Sequence, residues 1–139
     1  MRTFEILLIS LGAMSLLLAY TSLNNYQTCK KYRIGTFYYR FKTDESIRHY
    51  RVIRNTTTRT EINEDNGNIT KLKLHWIDDC TYEMRFLEGT EVLSKDLLDL
   101  KKKMILKTTI ISSTDEYYIF KSTSNFSTHE LIDTIWLRK

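Results

Sequence analysis

The chain has 139 residues, room for one domain and no more. Hydrophobic residues at 42% and charged residues at 27% make an ordinary globular composition and exclude wholesale disorder; the absence of proline and the four glycines exclude collagen-like or proline-rich linker character. The formal charge of +4 is dispersed, apart from a short run at Lys101, Lys102 and Lys103, and dispersed charge of this size serves solubility before it serves contact with anionic lipid or sugar phosphate.

The first feature is apolar. Ile6 to Tyr20 reads ILLISLGAMSLLLAY, preceded by Arg2 and weakened as a positive region by Glu5. A bilayer-spanning helix wants about 20 apolar residues; this shorter run matches the apolar region of a signal peptide. Ala19 and Thr21 stand at the −3 and −1 positions of a cleavage site after Thr21. The expected organisation is therefore residues 1–21 as a signal peptide or a retained signal-anchor helix, 22–28 as a polar connector, and 29–139 as a single β-rich domain. The expected location is outside the cytoplasm, in the periplasm or cell envelope, with attachment to the inner membrane through residues 6–20 if the leader is retained. Cys29 follows Tyr26-Gln27-Thr28, which is no lipobox.

Cys29 and Cys80 are the two cysteines, and both follow the export segment. An even count in an exported chain predicts a disulfide, with two independent buried thiols as the alternative. No CxxC or HxxxH pair offers the clustered ligands that zinc needs.

From Gly35 the pattern takes period two. Thr36–Phe41, Ile47–Arg54 and Thr58–Asn63 read as strands, and Glu64-Asp65-Asn66-Gly67-Asn68 as a turn. Leu72, Leu74 and Trp76 alternate with Lys73 and His75; Tyr82, Met84 and Phe86 alternate with Glu83 and Arg85. A hairpin centred on Asp78-Asp79, with Trp76 opposite Tyr82 and Leu74 opposite Met84, puts every large side chain on one face. Leu97, Leu100 and Met104 have helical spacing after a capping Ser94, so Leu93–Lys103 reads as a short helix or an irregular loop. Ile105–Ser113, Tyr117–Ser122 and Leu131–Leu137 complete the strands, with Ser122–Thr128 as a polar loop. The fold class expected is all-β: an antiparallel meander of about eight strands forming a closed or partly closed, lipocalin-like barrel, with a sandwich as the alternative.

Cys29, Gly35-Thr36-Phe37-Tyr38, Ile53-Arg54-Asn55 with Glu61, and Trp76-Ile77-Asp78-Asp79-Cys80-Thr81-Tyr82 together resemble a group of small exported Bacteroidetes proteins. Their pattern runs Cys, Gly-x-Phe, an Arg and Gln-x-Glu stretch, then Trp-Ile-x-Asp-Cys-x-Tyr. The resemblance covers roughly Cys29 to Phe86, and Arg59 stands where the pattern has Gln. Such sequences often carry an automatic name, DNA topoisomerase IV, an activity for which a single exported domain of this size has no room. The resemblance implies no established function.

Candidate sites are few. A His with two carboxylates can bind a metal, and His75, Asp78 and Asp79 are the most suggestive such group, though a solvated strand face followed by a carboxylate-rich turn explains them better. His49 and His129 lie near no nucleophile signature, and no GxSxG elbow exists. Arg54 and Glu61 flank a short turn and are expected to meet across adjacent strands, as a structural ion pair or, if buried in a barrel, as ligand-recognition residues. Trp76 and Tyr82 join them as candidate ligand contacts among many aromatics that either fill the core or line a cavity. The function expected is non-enzymatic: a binding module for a small apolar ligand or an envelope protein partner, with no cofactor and no nucleic acid. The alternative is an envelope hydrolase or metal-dependent enzyme using His75 and Asp79.

Overall fold

The computed structural model describes residues 29–139, and over them the chain is an all-β closed barrel of eight antiparallel strands in sequence order. The strands are β1 (Gly35–Lys42), β2 (Ile47–Arg54), β3 (Thr58–Asn63), β4 (Ile69–Trp76), β5 (Thr81–Gly89), β6 (Ile105–Ser113), β7 (Tyr117–Ser124) and β8 (Ser127–Trp136). The leader and connector read at 1–28 lie outside the described residues. No helix among the described residues is long and apolar enough to cross a membrane.

Short polar side chains fix the turns by capturing backbone N–H groups. Asn55 Oδ1 accepts from Thr57 and Thr58, Asp78 Oδ1 from Cys80 and Thr81, and Thr114 Oγ1 from Glu116 and Tyr117. At the β3–β4 turn Gly67 adopts φ 78°, the left-handed conformation that a side chain disfavours. The expected β4–β5 register is present, Trp76 facing Tyr82 and Leu74 facing Met84. The register shifts in three pairs, β7–β8 among them, and two of the shifts pass over an apolar residue: Leu87 between Phe86 and Glu88, and Ile111 between Ile110 and Ser112. Each bulge turns its extra apolar residue outward, where Leu87 and Ile111 lie exposed.

One local reading is corrected. Ser122–Thr128 is not a loop: β7 runs to Ser124, β8 begins at Ser127, and Asn125 secures the tight turn by accepting from Ile105 N and donating to Lys103 O. The helix α1 (Lys95–Lys103) exists and Ser94 caps it, its Oγ accepting from Leu97 N. Its leucine stripe is nonetheless unburied, with Leu97 44% and Leu100 42% exposed, because α1 packs only against β5. A 3₁₀ turn at Cys29–Tyr32, which no periodicity announced, precedes β1.

That turn divides the barrel into unlike halves. The β2–β3, β4–β5 and β6–β7 turns and both chain ends of the domain gather at one end, where Cys29 and Tyr32 sit 5% and 1% exposed as a plug. Cys29 is disulfide-bonded to Cys80 of the β4–β5 turn. Tyr32, Phe37, Val52, Tyr82, Tyr118 and Ile135 form the tightest part of the core behind the plug. The β1–β2, β3–β4, β5–β6 and β7–β8 connections ring the other end, with α1 beside it. Closure is uneven: β8 meets β1 only through Trp136 with Tyr38 and Ile135 with Tyr39. The first part of β8, Ser127–Ile132, is consequently exposed on both faces.

Candidate functional site

Inside a barrel, strand parity decides which side chains meet the lumen. On β2 the inward set is Arg48, Tyr50, Val52 and Arg54; on β3 it is Arg59, Glu61 and Asn63, while the strand's one large apolar residue, Ile62, turns outward. An all-polar inner face on β3 carries charge into the middle of the fold.

Arg54 is 2% exposed and organises the plugged half. Its Nη1 donates to Tyr32 O at 3.1 Å, and its Nη2 donates to the hydroxyls of Tyr82, at 2.9 Å, and Tyr118. The guanidinium also lies over the Phe37, Tyr82 and Tyr118 rings. No carboxylate among the described residues touches it: neutral oxygens and ring faces hold the charge. Burial raises the Tyr118 hydroxyl pKa by more than the Arg54 charge lowers it, so the phenol stays protonated.

The open half holds a cavity of two overlapping lobes. The first, about 410 Å³, runs from the rim at Arg48, Asn66 and Lys101 down past Phe41, Phe86 and Met104. The second, about 280 Å³, reaches deeper, to buried Arg59, Thr108, Phe120 and Ser122, and opens toward β8 past the exposed His129 and Leu131. Tyr39, Glu61, Met84 and Leu106 line both, so the lobes are one lumen. Lobes of this size match small-molecule sites in being concave, largely apolar and furnished with a few convergent polar groups.

Those polar groups are paired. Arg59 Nη2 meets Glu61 Oε1 at 2.7 Å, with the arginine side chain 6% and the glutamate 24% exposed. Burial is the largest single influence and works against the Arg59 charge, but the Glu61 carboxylate, through charge and hydrogen bond, outweighs it together with smaller contributions from Tyr82 and Tyr118, so the guanidinium pKa stands above its ordinary value. Tyr39 donates to Asp133 Oδ2 at 2.9 Å; burial, then that hydrogen bond, raises its hydroxyl pKa. Thr108 and Ser122 share a buried hydrogen bond at 2.9 Å.

The expected Arg54–Glu61 pair does not form. The register sets Arg54 against Arg59 and Glu61 against Val52, so the carboxylate pairs within its own strand instead. Of the candidate ligand contacts, Glu61 alone lines the cavity; Arg54 and Tyr82 lie behind it, and Trp76 packs on Tyr82 at 4.6 Å under Arg33. His75 is exposed on the outer face of β4, whereas Asp79 pairs with Arg33 at 2.9 Å and Lys30 at 3.6 Å beside the disulfide. His49 is bound to Asp65 on the rim, and His129 lines the deeper lobe. The histidines thus sit on separate surfaces, and no group of three metal-ligating side chains occurs among the described residues. The sequence reading passed over Arg59 and Asp133 as site residues; Tyr39 it counted only among the many aromatics able to line a cavity, and Tyr39 shares inward parity with Phe37.

Comparison with protein-family models, curated proteins and solved structures finds no match to this chain.

Proposed function

We propose that this domain is a non-enzymatic carrier or sensor that holds one small, largely apolar ligand in the open half of its barrel. The observation that carries the reading is the continuous lumen, apolar along Leu72, Met84, Phe86, Leu106 and Phe120, with paired polar groups in its depths. Eight-stranded barrels are either packed solid or leave room for one such ligand. The plugged half is packed and the open half is not. The Cys29–Cys80 bond supports work in an oxidising compartment, in keeping with export to the cell envelope.

A neutral fluorescent reporter such as 1-aminoanthracene tests this on the full chain in phosphatidylcholine nanodiscs, against empty discs. Saturable one-to-one binding, competed by decanol and lost in Leu106→Trp, which fills both lobes, is the expected result. Binding indifferent to Leu106→Trp contradicts it.

A second reading, capture of an envelope protein, draws on a different observation. The start of β8 pairs with β7 but with no other described strand, and it presents exposed Leu131 and Ile132, the kind of edge to which a partner strand adds.

A further inference from the structure

The carriage reading leaves the ligand's chemistry open, and the charges in the lumen narrow it. Arg54 and Arg59 are directly opposed residues on β2 and β3, both facing inward and both almost wholly buried. Like charges in opposed cross-strand positions destabilise a sheet, and buried charge is tolerated where it is paired. Two carboxylates share this depth. Glu61 sits on Arg59, and Asp133 is held by the Tyr39 hydroxyl and by Thr134 N. Arg54 makes three hydrogen bonds to neutral oxygens on the plug side and lies away from the lumen. Arg59 has one charged partner, Glu61, and its side chain lines the deeper lobe. The Nε atoms of both arginines are buried without a partner among the described residues.

We propose that the deeper lobe receives the carboxylate of a single-chain amphiphile at Arg59, with the chain running through the first lobe toward the rim. This rests on the carriage reading and names its ligand class. A guanidinium presents five N–H donors in a planar fork, so Arg59 keeps Glu61 on Nη2 and retains donors for a second carboxylate. That anion adds negative charge beside two opposed guanidinium groups. Met84, Leu106 and Phe120 clothe the first carbons of the chain, and Phe86 and Met104 those nearer the mouth. Glu61 is the opposing element: its charge repels the incoming anion, so it limits affinity, and the gain is largest for a ligand that brings one carboxylate and little else that is polar.

Three probes of equal chain length separate the possibilities: decanoate, decanol and decyltrimethylammonium. Each is titrated into the full chain in phosphatidylcholine nanodiscs, with the Met84 and Met104 methyl NMR signals as the readout. Decanoate is expected to bind at least tenfold more tightly than decanol, and decyltrimethylammonium more weakly than both. Glu61→Gln is expected to widen the decanoate preference. The double variant Arg59→Met/Glu61→Met removes both charges without orphaning either, and it is expected to bind decanol as before and lose the preference. Equal affinity for all three probes overturns the head-group assignment and leaves carriage standing. A preference for the cation, abolished by Glu61→Gln, also overturns it, with Glu61 as the recognition group. Failure of every probe to move Met84 or Met104 overturns both the assignment and the carriage reading.

Discussion

Each half of the barrel buries an arginine, and the two are used in opposite ways. In the plugged half Arg54 is surrounded: a carbonyl, two phenols and three aromatic rings occupy it, and the 3₁₀ turn seals the space. In the open half Arg59 is paired with Glu61 and borders the lumen. The same residue type one strand apart is therefore an internal staple in one half and, as proposed above, a recognition group in the other. The disulfide belongs to the first half, which separates what holds the fold from what is free to bind.

The sharpest way to break this contrast is to remove the plug's covalent tie. Cys80→Ser is expected to cost roughly 4 kcal/mol, the chain-entropy value for a loop of this length, measured by urea unfolding without reductant. With reductant the variant and the parent converge; an equal loss in both conditions assigns Cys80 to packing alone. Arg54→Met comes next. It leaves the Tyr32 carbonyl and two buried phenols without their donor, at a cost of about 3 kcal/mol, and lowers Tm while leaving lumen binding in place.

Arg59→Met alone strands Glu61 in the lumen and is expected to cost about 2 kcal/mol, whereas the double variant with Glu61→Met returns to within about 1 kcal/mol of the parent. That non-additivity, read as a double-mutant cycle, measures the pair. A smaller effect concerns the turn beside the disulfide. The Cys80 and Thr81 N–H groups hold the Asp78 carboxyl below its ordinary pKa. A depressed folded-state pKa stabilises above the unfolded value, near 3.9, and that contribution disappears as pH falls through the folded value. Asp78→Ala is expected to cost about 1 kcal/mol at pH 7 and to unfold less steeply with acid than the parent between pH 5 and pH 2. Leu97→Ser on α1, whose leucines are already half exposed, is expected to move stability by less than about 0.5 kcal/mol.

The legibility of the sequence follows the same division. The β4–β5 hairpin was readable to the residue because Leu72, Leu74 and Trp76 alternate cleanly with charged or polar neighbours and one face is wholly apolar. The interior of β3 was not. Its period-two pattern points Ile62 outward and Arg59, Glu61 and Asn63 inward, and no local rule tells a polar face in water from a polar face in a lumen. Arg54 was half legible: it continues the parity of Tyr50 and Val52, which places it inside, but its partners come from Tyr32, Tyr82 and Tyr118, far apart in sequence. The plug was invisible because four residues of 3₁₀ turn carry no periodicity. The cavity was invisible because it is a property of eight strands at once.

On the proposed function the open half binds and the plugged half does not. The most direct test follows decanoate titration of the parent chain by NMR with labelled methionine methyls and tyrosine rings. Saturable shifts at Met84 and Met104 and at the Tyr39 ring, with the Tyr32, Tyr82 and Tyr118 rings unmoved, are the predicted result. Shifts centred on Tyr32 and Tyr118, or none at Met84, would contradict it.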